Sequence, residues 1–228
     1  MYFIYSLPMQ LRFFFQNLLS FIINVKITGE DFIKDHKRGI IVCNHYDFSD
    51  LIIPLFYFPK VVYLIYPMDI QKNHIFDLLL NQNLNIFYDL LEIHFIKEEE
   101  LENQIKQLSK DNLVFLFPEL NPTHTGVIQP FNENIIKMIY NATIENDLLV
   151  FPSGINGTFR LSDFFSMIQL ALQRVKINYN IGYPIQINNT VDVNDFKKEL
   201  EKQTYALSLH PERRKKGRAI IRTDAREL

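Results

Sequence analysis

The sequence predicts an α/β fold, a sheet covered by helices on both faces. Three observations predict it. Short runs such as "LVFLF" and "LLVF" are apolar at nearly every position, which suits strands buried on both sides. These runs alternate with segments of helical period. Polar residues gather just past three of the runs, and open α/β sheets carry their sites at the carboxyl ends of strands.

Strands are expected near Val25–Thr28, Gly39–Cys43, Val61–Tyr66, Ile93–Ile96, Leu113–Phe117, Leu148–Phe151 and Lys176–Ile181. Helices are expected over Ser49–Phe58, Ile70–Leu80, Glu98–Lys110, Asn132–Asn146, Ser162–Arg174 and Val193–Ser208. The run Glu98–Glu99–Glu100 opens one of these helices, where carboxylates complement the helix dipole. No internal repeat or low-complexity segment interrupts the alternation.

The first residues, "MYFIYSLPMQLRFFFQNLLSFIINV", are strongly apolar. They lack a basic leader and a small-residue cleavage site, so a secretory signal is not expected. Gln10, Arg12 and Gln16 break the run, which leaves no clean span of about twenty apolar residues. If Met9 to Ile23 is helical, Arg12, Gln16 and Ser20 form one polar stripe, and Phe13, Phe14, Leu18, Phe21 and Ile22 cover much of the rest. Such a helix lies in a membrane interface, packs on a core or makes a short tilted span; the interfacial reading is the expectation. The chain therefore divides into residues 1–24, a membrane-associating helix, and residues 25–228, the folded domain.

The 228 residues are 47% hydrophobic and 14% aromatic, enough for a sizeable core and against disorder. A net charge of −2 argues against a general nucleic-acid binder, and no nucleic-acid partner is expected. The single cysteine, Cys43, excludes an internal disulfide and a cysteine-based zinc site, and its apolar surroundings mark a buried thiol. Near the end, Arg213 to Arg218 places five basic residues in six positions. This is either a solvated tail or an attraction to anionic lipid headgroups.

The chemistry lies at the strand ends. After "GIIVC" come Asn44, His45, Asp47, Ser49 and Asp50. A carboxylate accepting from one imidazole nitrogen fixes the tautomer and leaves the other to take a hydroxyl proton. Asp47 and Asp50 compete for that role. Positions five apart on one helix diverge by about 140°, so His45 and Asp50 meet only if the chain turns between them. After "LVFLF", Pro118 ends the ladder and brings Glu119 to a cleft edge. After "LLVF", Pro152 ends another strand, and the two glycines of "SGING" give backbone close approach to a ligand. Ser153 raises a hydrolase reading but lacks the Gly-x-Ser-x-Gly elbow.

These residues carry a resemblance. "NHYDFSD" resembles the first motif of the glycerolipid acyltransferases, the lysophosphatidic acid acyltransferase-like family: Asn-His, four variable residues, Asp. "FPELN" shares Phe-Pro-Glu with the third motif, "LLVFPSGING" resembles the fourth, and "IGYPIQI" keeps Gly182 and Pro184 of a late Gly-Glu-Pro strand. Order and spacing agree from about Val25 to Ile187. The resemblance implies a mixed, mostly parallel sheet, with 25–228 as the acyltransferase domain. It implies His45 as general base, Asp50 as its orienter and Asn44 as support of the turn. Lys97, Pro118, Glu119 and Pro152 are then substrate-binding residues. Acyl-CoA or acyl carrier protein is the implied donor, membrane lipids the partners, and no metal or bound cofactor is needed. The expected place is the cytoplasmic face of a membrane, peripheral or monotopic. A non-catalytic lipid-binding member of the same fold is the rival.

The chain departs from the family where an acceptor's phosphate is held. Leu120, Asn121 and Pro122 stand where the third motif has Gly-Thr-Arg, and Lys97 in "IHFIKEE" stands where the second motif ends in arginine. Lysine keeps the charge but loses the bidentate fork. Arg160 and Lys137 are cations that could substitute, although no motif places them.

Overall fold

The structure is a computed structural model that describes residues 17, 23–45, 50, 54, 57–58, 61–65, 93–95, 98–119, 129–158, 175–188 and 190–209. The helices expected over Ile70–Leu80 and Ser162–Arg174, the basic run Arg213–Arg218, Lys97 and Arg160 lie outside the described residues. So does the expected N-terminal helix, apart from Asn17, which is helical, and Ile23, which already belongs to the first strand.

The elements are β1 (Ile23–Thr28), α1 (Asp31–Lys34), β2 (Gly39–Cys43), β3 (Val61–Ile65), β4 (Ile93–Phe95), α2 (Glu98–Leu108), β5 (Leu113–Leu116), α3 (Glu133–Asn146), β6 (Leu149–Asn156), β7 (Val175–Ile181), β8 (Ile185–Gln186) and α4 (Val193–Ser208). The strands make one sheet in the order β1-β7-β6-β2-β5-β3-β4, with β8 paired to β6. From β6 to β4 the neighbours are parallel, so the carboxyl ends of β6, β2, β5, β3 and β4 share one edge. β7 and β1 are parallel to each other, and β7 runs antiparallel to β6. The sheet is thus mixed and mostly parallel, as expected.

β2 and β5 are buried at every position, which is why they read as unbroken apolar runs. On one face Ile40, Val42, Val114, Leu116 and Val150 pack against Leu101 and Ile105 of α2, Ile135, Ile136 and Ile139 of α3, and Phe196 and Leu200 of α4. Full burial of each such side chain contributes about 1.5–3 kcal/mol. On the opposite face Phe58 packs against Tyr179, ring centroids 5.2 Å apart. Asp50, Pro54 and Tyr57 are helical, and Phe58 N–H donates to Pro54 O at 2.8 Å, within the helix expected there.

Local signals set the helix ends. Asn132 Oδ1 accepts from Asn134 N (2.9 Å) and Ile135 N (3.1 Å) to start α3. Asp192 does the same for α4 through Asn194 N at 2.8 Å. At the other end of α4 the cap is tertiary. Asn180 Nδ2 donates to Leu207 O (2.8 Å) and Asn156 Nδ2 to Ser208 O (2.7 Å), which satisfies carbonyls left without intrahelical partners. Lys197–Glu133, Phe131 N–Glu201 Oε1 and Tyr205 Oη–Gln129 O contacts run α4 antiparallel to α3, so α4 finishes at the edge where β6 ends.

Two expectations are corrected. Pro152 does not end its strand: β6 continues to Asn156. A strand residue's N–H and C=O lie on the same side, and Pro152 O accepts from Gly182 N at 2.8 Å. The missing N–H therefore falls beside Gly182–Pro184, between the residues that pair with β7 and those that pair with β8, where no ladder bond is lost. The glycines of "SGING" approach the chain's own backbone. A Cβ on Gly154 would meet Ser208 N and Leu207 C at the end of α4, and Gly157, at φ +101°, abuts Lys176 O. Two short elements, α1 and β8, were not expected, because they carry too few residues to show a period.

Candidate active site

The sheet edge formed by β2, β5 and β6 gathers most of the candidate residues. Asn44 comes directly after β2. Its Oδ1 accepts from Ile155 N at 2.8 Å and its Nδ2 donates to Ile155 O at 3.2 Å. The side chain thus imitates a strand partner and ties the end of β2 to β6 after the backbone has begun to turn away. Asn44 is fully buried, so both bonds are required to offset its desolvation.

His45 comes next. Its backbone N–H donates to Glu119 Oε1 at 3.2 Å. Its ring stacks on Phe117, with centroids 4.2 Å apart and planes 13° from parallel, and Phe117 meets Phe115 edge-on at 5.0 Å. Stacking fixes the plane of the imidazole and keeps both nitrogens at its rim. His45 is half-buried, while its supports Asn44, Phe117 and Glu119 are buried.

Glu119 is 1% exposed, and both its oxygens are engaged: Oε1 by His45 N and Oε2 by Gln129 N at 3.1 Å. Burial pushes its carboxyl up to about 8, against the pull of those two N–H donors, and the charges of Asp50 and Glu201 add to the rise. Glu119 therefore clasps the end of β2 to the segment that leads into α3.

Asp50 is 1% exposed and accepts from the hydroxyl of Thr158, which is fully buried just past β6. Its charge also raises Cys43 and Glu119, which places it among them. Cys43 is an inert, buried thiol whose pKa is raised first by desolvation. Ser153 is no nucleophile: it is fully buried, donates to Val42 O at 3.0 Å and accepts from Tyr179 Oη at 2.9 Å.

Of the expected site residues, the fold brings Asn44, His45, Asp50 and Glu119 to one edge. Pro118 is buried behind Glu119, and its carbonyl accepts from Asn132 N at 2.9 Å. Pro152 is buried inside β6, and Lys137 is exposed in the middle of α3. Asp47 lies outside the described residues. Among the described residues no group of three or more His, Cys, Asp or Glu could hold a metal ion. Two participants were not named as site residues. Phe117 stood only as the first residue of the Phe-Pro-Glu motif, and Thr158, which meets Asp50 across 108 positions of chain, carried no signal of its own.

Three comparisons bear on this geometry. A family model described as Acyltransferase matches residues 24–156, more than half of the chain. No curated protein matches the sequence. Among solved structures, the 1-acyl-sn-glycerophosphate (LPA) acyltransferase PlsC from Thermotoga maritima is similar in fold, with a TM-score of 0.63 at 16% identity, over 86% of this chain and 75% of that one.

Proposed function

The chain belongs to the acyltransferase family, and from that premise we propose that it transfers a fatty acyl group from acyl-CoA or acyl carrier protein to a hydroxyl of a lysophospholipid or related lipid, with His45 as general base. The observation that supports this reading is the joint placement of His45, Asp50 and Glu119 at one strand edge. The imidazole takes the proton of the acceptor hydroxyl as its oxygen attacks the thioester carbonyl carbon. The tetrahedral intermediate collapses, the C–S bond breaks, and the imidazolium returns the proton to the leaving thiolate. The products are an ester and a free thiol. A thioester is already activated, so a base and oxyanion stabilisation suffice. Asp50 orients the imidazole, Asn44 and Glu119 hold the His45 backbone, and Lys97 binds the acceptor.

The acceptor has a less charged or differently placed headgroup than lysophosphatidic acid. Leu120 adds a side chain where a glycine would admit a phosphate, and Pro122 offers neither a charge nor an N–H where an arginine would grip it. The site faces a membrane. No helix among the described residues is long and apolar enough to cross one. The apolar residues 1–24 and the basic run are the proposed means of attachment. That run begins at Arg213, four residues beyond Leu209, and α4 is tethered to the active edge through Asn156 and Ser208.

The test is acyl transfer from one labelled acyl-CoA to a panel of lysophospholipids and acyl-amino-acid lipids. His45→Ala abolishes transfer and Asp50→Ala nearly does, while Asp47→Ala is milder and lysophosphatidic acid is a poor acceptor. A protein that binds these lipids but transfers nothing is the non-catalytic member instead. Loss on Asp47→Ala with activity kept on Asp50→Ala reverses the assignment of the pair.

A further inference from the structure

We propose that Thr158 is a positioning residue for the general base, holding the Asp50 carboxylate in the orientation that serves His45. This rests on the assignment of His45 and Asp50 made above. Thr158 is fully buried and its hydroxyl donates to Asp50 Oδ1. A carboxylate 1% exposed must be hydrogen-bonded to stay charged, and a hydroxyl rotor is a donor that fits one oxygen and fixes the carboxylate plane.

Thr158 is also held in register with His45. Ile155, three residues before it, is clamped on both backbone groups by the side chain of Asn44, the residue before His45. Between Ile155 and Thr158, Gly157 takes φ +101° and turns the chain off β6. A Cβ there would strike Lys176 O, so the turn is built for glycine. The same strand end that fixes the imidazole's backbone therefore delivers the hydroxyl to the imidazole's carboxylate partner.

The variant Thr158→Val keeps the shape and removes the donor. With palmitoyl-CoA and the fastest acceptor of the panel, kcat falls about ten- to a hundredfold, as expected for loss of a hydrogen bond to a charged group, while KM stays put. Thr158→Ser restores most of the rate. Thr158→Val costs nothing further in an Asp50→Asn background, because the two side chains act as one unit. In histidine-labelled protein without substrate, the nitrogen spectrum of His45 shows one tautomer in the wild type and a mixture in Thr158→Val. Wild-type kcat in Thr158→Val, a Thr158→Ser enzyme as slow as the valine variant, or losses that multiply with Asp50→Asn overturn the proposal. Should Thr158→Val fail to fold, Thr158→Ala tests the same hydroxyl. If neither folds, the hydroxyl is structural and the proposal fails. Full activity in Asp50→Asn sinks the base assignment and this proposal together. A dead Asp50→Asn beside an unaffected Thr158→Val sinks only this one.

Discussion

Two stretches of the chain begin alike, as a buried apolar run closed by Phe-Pro: Phe117-Pro118 after β5 and Phe151-Pro152 in β6. They end differently. β5 stops at Leu116, and Glu119 turns to accept the His45 N–H. β6 runs straight through Pro152 to Asn156. The difference lies in the neighbours. β5 has parallel strands on both sides, β2 and β3, so a missing N–H at its end would cost a ladder bond. Pro152 points its missing N–H at the Gly182–Pro184 connection, where no strand waits for it. The residue after each proline then takes its role from its surroundings: Glu119 becomes a clasp of the edge that carries His45, and Ser153 a hydrogen-bonded piece of core.

The largest effect that can test this contrast is on the clasp. Glu119→Ala leaves His45 N and Gln129 N without their acceptor; His45 is half-buried and Gln129 is exposed to water, so the two together cost about 1–3 kcal/mol. Denaturant unfolding should show that loss, and acyl transfer should fall more than tenfold because the His45 backbone is released. Retained activity would reduce Glu119 to a loop carboxylate.

Protonation sharpens the same point. The folded state holds the Glu119 carboxyl at about 8, above its ordinary 4.5. The folded chain therefore keeps a proton that the unfolded chain releases, so this group favours folding at acid pH. That advantage is lost as pH rises from about 4.5 to about 8. Unfolding free energies across this range should decline less steeply in Glu119→Gln than in the wild type. Equal slopes would mean that the carboxyl is not held above its ordinary range.

The other Phe-Pro site predicts smaller changes. Ser153→Ala removes the acceptor of Tyr179 Oη and the donor to Val42 O, which costs about 1–2 kcal/mol in stability. Its acyl transfer should stay near wild type; a dead but folded variant would revive Ser153 as a reacting group. Pro152→Ala should touch transfer least. It gives a buried residue an N–H that faces the Gly182–Pro184 connection and removes a ring lying beside Gly182, so stability falls by about 1–3 kcal/mol for the unmet donor while acyl transfer stays near wild type. Unchanged stability would show that the new donor finds a partner there.

Much of this could be read along the chain because it depends on close neighbours. The seven longer strands among the described residues fall where strands were expected, β2 and β5 as unbroken apolar runs, and β2 was bounded at Gly39 and Cys43. The helices expected over Asn132–Asn146 and Val193–Ser208 correspond to α3 and α4, whose caps at Asn132 and Asp192 the structure shows. His45, Asp50 and Glu119 stood out because polar residues at the ends of buried strands need a reason. The short β8 and α1 did not stand out, since a few residues give no period.

The sequence by itself therefore determined the alternation of strands and helices and which strand ends carry clustered polar residues. Both are set by side chains a few positions apart, through burial and local hydrogen bonds. Only the tertiary structure decided how those ends are joined. Asn44 completes a ladder with Ile155 across 111 positions, Glu119 holds the His45 N–H across 74, and Thr158 reaches Asp50 across 108. It also decided that Pro152 lies inside a strand and that Gly154 makes room for the end of α4. The physical reason is that a buried polar group must find a partner wherever the fold brings one, and the order of residues along the chain does not say which partner that will be.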